Sequence, residues 1–106
     1  MKYIVSEISK MLNVSPFLIK KWEKQNLIKF DRGDNNYRKI DAKLIPLLTD
    51  IKTFREINIS AKEIKNFFSM SLNEELNFFT KIISESENKI NELKEKIEFL
   101  KFEQEL

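Results

Sequence analysis

Apolar positions recur along this chain at helical spacing, in short sets separated by polar punctuation. In Ser6–Leu12, Ile8, Met11 and Leu12 share one helical face, and Ser6 is the predicted N-cap. Asn13 follows, a residue that tolerates the left-handed backbone of a tight turn. Ser15-Pro16 is then a strong helix start, because proline at the first helical position loses no hydrogen bond. The second helix is predicted from Phe17 to about Gln25, with Asn26 as its terminator. Two short helices joined by so tight a turn form a helix-turn-helix.

The pattern then changes. Leu27-Ile28-Lys29-Phe30 and Tyr37-Arg38-Lys39-Ile40 are β-prone and flank a loop of Asp, Asn, Arg and Gly, which predicts a hairpin. Asp41 is placed to cap a third helix running to about Ile57. Pro46 conflicts with that start, because inside a helix it removes a backbone bond; the helix either begins later, near Ile45, or is kinked. Asn58-Ile59 ends it. Ser60-Ala61-Lys62-Glu63 is a capping box for a fourth helix, Ala61 to about Phe68, and Ser71-Leu72-Asn73-Glu74 is a second box.

From Leu72 onward there is no Gly and no Pro, so one helix of about 35 residues and about 50 Å is predicted. Leu72, Leu76, Phe79, Ile83, Ser86, Ile90, Leu93, Ile97, Leu100 and Gln104 alternate by four and three. A period of about 3.5 residues sustained this long is the coiled-coil signature, favoured over a helix folded back on its own head. Leu76, Phe79, Ile83, Ile90, Leu93, Ile97 and Leu100 are the expected dimerisation residues. Flanking charges lean towards an antiparallel pair, which sets Glu87 against Lys94 twice where a parallel pair would oppose lysines. Isoleucine at one seam position with leucine at the other favours parallel strands instead.

Composition narrows the chemistry. The chain has no Cys, no His and one Gly, which leaves no thiolate, imidazole base, usual zinc site or glycine-rich phosphate cradle. Neither an enzyme nor a bound cofactor or metal is expected. A membrane span needs about 20 apolar residues, whereas the runs here are as short as Phe17-Leu18-Ile19. No secretion signal is visible, and a cytoplasmic, nucleoid-associated location is expected. The net charge of +2 hides an asymmetry: residues 1–70 carry 14 Lys/Arg and 8 Asp/Glu, and residues 71–106 carry 5 Lys and 9 Glu. A basic head on an acidic tail suits a module that meets a polyanion with one end only.

Val5–Ser15, Ile19–Ile28 with Trp22-Glu23, and Tyr37-Arg38-Lys39-Ile40-Asp41 together resemble MerR-family regulators, and the likeness continues through Ile51–Ile57 and Ile59–Ile64. The resemblance implies a mostly helical fold with a small β-hairpin wing: a winged helix-turn-helix head, residues 1–70, and a coiled-coil dimerisation helix, residues 71–106. It implies a homodimer through an antiparallel coiled coil that binds a palindromic promoter in double-stranded DNA, distorts it and meets RNA polymerase there. Leu18, Lys20 and Asn36 stand where the family has a hydroxyl residue, an arginine and a glycine, and Leu44 where an acid is common. Metal sensors in the family use cysteines and drug sensors carry a large extra domain, so this chain looks like a short member without an effector domain.

The second helix is expected in the major groove. Ile19 and Trp22 read as core, and Leu18 as core or rim. Ser15 is assigned to a phosphate, Lys20 and Lys21 to a guanine edge or a phosphate, and Phe17 to a thymine methyl or a lysine stem. In the wing, Arg32, Tyr37 and Arg38 are assigned to phosphate or minor-groove contact, with Tyr37 packing on the second helix as the alternative. Lys62 and Lys65 are weaker candidates. Rival readings are a DNA-organising, chromosome-anchoring or excisionase-like protein, and a coiled-coil adaptor without DNA.

Overall fold

Three helices of this chain end in the same way, and each time asparagine makes the ending possible. The computed structural model describes residues 1–106 and contains five α-helices: α1 (Val5–Leu12), α2 (Pro16–Lys24), α3 (Ile45–Glu56), α4 (Ala61–Phe67) and α5 (Leu72–Glu105). Asn13, Asn26 and Asn58 follow α1, α2 and α3 with φ of 55°, 61° and 67°. The next residue then donates its N–H back to the carbonyl five residues earlier: Val14 to Ser9, Leu27 to Trp22 and Ile59 to Phe54, at 3.1, 3.0 and 2.9 Å. This closure satisfies carbonyls that would otherwise be orphaned and turns an apolar residue towards the core. Leu27 and Ile59 are both buried.

Helix starts are equally explicit. Ser15 accepts from the Leu18 N–H, Ser60 from Glu63 and Ser71 from Glu74, at 3.1, 3.1 and 3.3 Å. The first helix departs from expectation. It begins after Ile4, whose N–H is bound by the Glu7 carboxylate at 3.0 Å, so Ser6 lies within the first turn and is not the cap. The extended chain leaving the first strand delivers Ile4 directly to the helix start. The third helix takes the later of its two starts. Asp41 caps a 3-10 turn, Ala42–Leu44, and α3 begins at Ile45 with Pro46 in its first turn. There the missing N–H would have had no intrahelical partner. The Lys43 N–H donates to the Asp41 carboxyl at 3.0 Å, and this is the main cause that holds the Asp41 pKa below its ordinary value.

The strand expectation needs a larger correction. Leu27–Phe30 is not a strand. The wing pairs β2 (Asp31–Arg32) with β3 (Arg38–Asp41), and β1 (Lys2–Tyr3) adds on the far side of β3 to make an antiparallel sheet in the order β1-β3-β2. Lys2 stands opposite Asp41 and Asp31 opposite Lys39. Leu27 and Ile28 are neighbours and both are buried, so they do not alternate as residues of a strand with one solvent face would. Their apolar character pins an irregular segment to the core.

The chain divides into two compact units, Met1–Phe68 and Ser69–Leu106. The core of the first unit draws on Ile8, Ile19, Trp22, Ile40, Leu48, Ile51 and Ile64, all fully buried. Lys52 on α3 donates to the Leu12 carbonyl at 2.7 Å and so caps α1, while Phe67 meets Phe54 edge-on at 5.0 Å. In the second unit α5 runs 34 residues, and every residue from Ile83 onward is exposed. No helix is long and apolar enough to cross a membrane.

The left-handed terminations make a stability prediction. Asn58→Gly is expected to keep or raise stability, and Asn58→Val to lower it by about 1–2 kcal/mol, because a branched Cβ clashes at positive φ. Denaturant unfolding at fixed protein concentration checks this; equal stability of the two variants would contradict the role given to Asn58.

Candidate nucleic-acid interface

Two residues decide how α2 faces the rest of the molecule. Ile19 and Trp22 are both 0% accessible, packed wholly into the core. With these two, three apart in sequence, fixed inward, helical geometry turns Phe17, Lys20, Lys21 and Lys24 outward. Phe17 is 73% exposed and leads this outward face. Leu18 is half-buried, in keeping with a rim position. Ser15 sits at the helix start with its oxygen engaged by the Leu18 N–H, which leaves its hydroxyl proton to donate.

The wing stands beside this face. Its loop closes through Gly33 N–H to the Tyr37 carbonyl at 2.8 Å and Asn36 N–H to the Gly33 carbonyl at 2.9 Å. Asn36 has φ 62°, so the residue standing in place of the family's glycine adopts a conformation asparagine tolerates. Tyr37 is 67% exposed and shares a groove with Lys20 of α2.

Two open grooves join the pieces. One, of about 370 Å³, runs between Ser6, Lys20, Asn36, Tyr37 and Arg38. The other, of about 720 Å³, is lined by Phe17, Lys20, Lys21, Lys24 and Arg38. Lys20 and Arg38 border both, so Phe17, Lys20, Lys21, Tyr37 and Arg38 are brought onto one face. Arg32 reaches this region through its side chain, which meets Glu23 of α2. Lys62 and Lys65 lie on α4 and border neither groove.

One residue was missed by sequence reasoning. Glu23 lies on α2 among the lysines, and its Oε1 accepts from Arg38 Nε at 2.7 Å and from Arg32 Nη2 at 3.2 Å. Its Oε2 accepts from the Phe30 N–H at 3.3 Å. The carboxylate therefore ties α2 to both strands of the hairpin and to the segment entering it. The available signal was a lone acid between Lys20, Lys21 and Lys24, on a face otherwise cationic.

The family model described as MerR HTH family regulatory protein matches residues 3–71. The chain belongs to the MerR family, with its DNA-binding winged helix-turn-helix fold. Among solved structures, it is similar to HiNmlR, a MerR family regulator lacking the sensor domain, bound to promoter DNA: 20% identity over 92% of this chain and 80% of that one, TM-score 0.71. A MerR-family transcriptional regulator from Bacillus cereus gives 21% identity over 94% and 75%, TM-score 0.76. One from Bacillus thuringiensis gives 19% over 92% and 97%, TM-score 0.64. No curated protein matches the chain in sequence.

The shared carboxylate separates the two wing arginines energetically. The Arg38 side chain is 26% exposed and that of Arg32 40%. Arg38→Ala is expected to lower stability by about 1–2 kcal/mol, in the range of charge-assisted hydrogen bonds, because it also leaves Glu23 short of its nearest partner. Arg32→Ala should change it little, as exposed ion pairs do. Equal losses in denaturant melts would contradict this ordering.

Proposed function

We propose that this chain is a homodimeric, sequence-specific transcriptional regulator that binds a palindromic promoter site in double-stranded DNA and distorts it. The observation that carries the reading is the single face made by α2 and the wing. It offers an exposed aromatic, outward lysines and two arginines, over a helix whose opposite side is locked into the core. In such an arrangement the helix enters the major groove with its N-terminal part, and wing cations meet the backbone. The relative that was solved on promoter DNA supports this use of the fold.

Within that reading, Ser15 donates to a phosphate near the N-terminus of α2, and Lys20 and Lys21 reach guanine edges or phosphates. Phe17 meets a thymine methyl. Arg32, Tyr37 and Arg38 hold the backbone beside the groove. RNA polymerase is the partner at the distorted promoter.

Dimerisation is assigned to α5. Leu76, Phe79, Ile83, Ile90, Leu93, Ile97 and Leu100 are between 38% and 57% exposed, an apolar seam along a helix interrupted only at Ser86. An antiparallel pairing centred near residue 91 covers it and sets Glu87 against Lys94 at both crossings. Replacing Ile90 and Leu93 with Asp is expected to yield monomers in sedimentation equilibrium; a double variant that stayed dimeric would remove the coiled-coil assignment.

Contacts from the groove helix are expected to matter more on the true site than on random DNA. Lys21→Ala or Phe17→Ala should cost roughly 1–3 kcal/mol on the true site and less on random DNA. Affinity of the parent protein should fall steeply with salt as phosphate counterions are released. Competition titrations across a salt series, after footprinting has found the site, make both measurements. A flat salt response would remove the nucleic-acid reading, and many dispersed footprints in place of one palindromic site would favour a DNA-organising role.

A further inference from the structure

Glu23 is an anomaly on a face that meets a polyanion. It lines the same groove as Lys20, Lys21 and Lys24, subtracts a charge there and would repel phosphate. Its side chain is only 17% exposed, and it engages two cations and a backbone N–H at once. A neutral side chain could serve as an acceptor for the Phe30 N–H, so bracing that segment does not by itself require a carboxylate. What requires the charge is the pair of arginines.

We infer that Glu23 is a positioning residue that sets the specificity of DNA binding: it holds Arg38 and Arg32 in one place relative to α2 and lowers affinity for random sequence. The inference rests on the DNA-binding reading above and goes beyond it. Glu23 engages Arg38 through Nε, which leaves the outer N–H groups of the guanidinium to donate to a phosphate. A guanidinium held by Nε presents those groups from a fixed point. The wing then meets its phosphates only when α2 lies in the register that its own site dictates. Released from the carboxylate, both arginines would gain freedom to find a phosphate on any duplex, and the face would gain a net positive charge.

Glu23→Gln tests this, since it keeps shape and an acceptor while removing the charge. Circular dichroism melts first show that the variant folds. Fluorescence titrations then use the footprinted site and a scrambled duplex over a salt series. Random-sequence affinity at low salt is expected to rise several-fold, the salt slope to steepen by about one, and the ratio of specific to random affinity to fall about tenfold. A residue that merely braces the fold cannot produce a steeper slope with tighter random binding. Equal losses on both duplexes, or no change on either, would overturn the inference. If Glu23→Gln does not fold, Arg38→Lys carries the test: it keeps the charge but gives up the fork, so the ratio should fall while the slope stays. An unchanged ratio there overturns it too. Failure of the parent protein to prefer any duplex would instead defeat the DNA-binding reading itself.

Discussion

Burial of Trp22 is the interaction on which the arrangement of the head depends. An indole removes roughly 150–250 Å² from water, which at about 25 cal/mol per Å² amounts to at most about 4–6 kcal/mol. Its Nε1 is buried without a hydrogen-bond partner, a cost of about 1–3 kcal/mol for an unmet donor. Burial outweighs that penalty, so the ring stays in. With Ile19 beside it on the same face, α2 has one rotational setting about its axis. That setting, and no direct interaction among the exposed residues, puts Phe17, Lys20 and Lys21 outward together.

Rotation of α2 does not position the wing. The hairpin pairing is short, two residues of β2 against β3, and β1 contributes two more. Strands this short supply few ladder bonds, so the sheet needs anchors outside itself. Phe30 and Ile40 anchor it through the core, both being buried. Glu23 anchors it through charge. The apolar anchors fix the base of the hairpin, and the carboxylate fixes its cationic side chains, which no apolar contact could hold. Core packing and electrostatics thus act on different parts of the same interface.

Most helix ends were legible in the sequence because their causes are local, the start of α1 at Ile4 rather than Ser6 being the exception. Ser15-Pro16, Ser60 to Glu63, Asn13, Asn26 and Asn58 each act within a few residues, so their chemistry could be read directly. Trp22 and Ile19 were legible as core for the same reason. Leu27–Phe30 was misread because β-propensity describes a side chain's fit to a half-buried pleat, and here the burial comes without the pleat. The short β1 strand pairs with residues far along the chain, Lys2 with Asp41 and Tyr3 with Ile40, and left no local trace. Glu23 shows the same limit within the site. Its arginine partners lie 9 and 15 residues away, beyond a turn whose geometry had first to be known. The family likeness pointed to α2 and the wing, but a resemblance carries residue types and not the pairing between them.

Two-fold use of the head follows from energetics in the proposed complex. Bending or untwisting a duplex costs on the order of several kcal/mol. One head offers a short helix and a small wing, and part of its cationic charge is already engaged by Glu23. Two heads on one rigid coil double the contacts. The second engagement is then intramolecular, so it is governed by an effective concentration that the coil sets. In the proposed complex, the exposed apolar positions of α5 and the partly self-neutralised face of α2 would then serve one end: each head is restrained alone, and a dimer would supply what distortion requires.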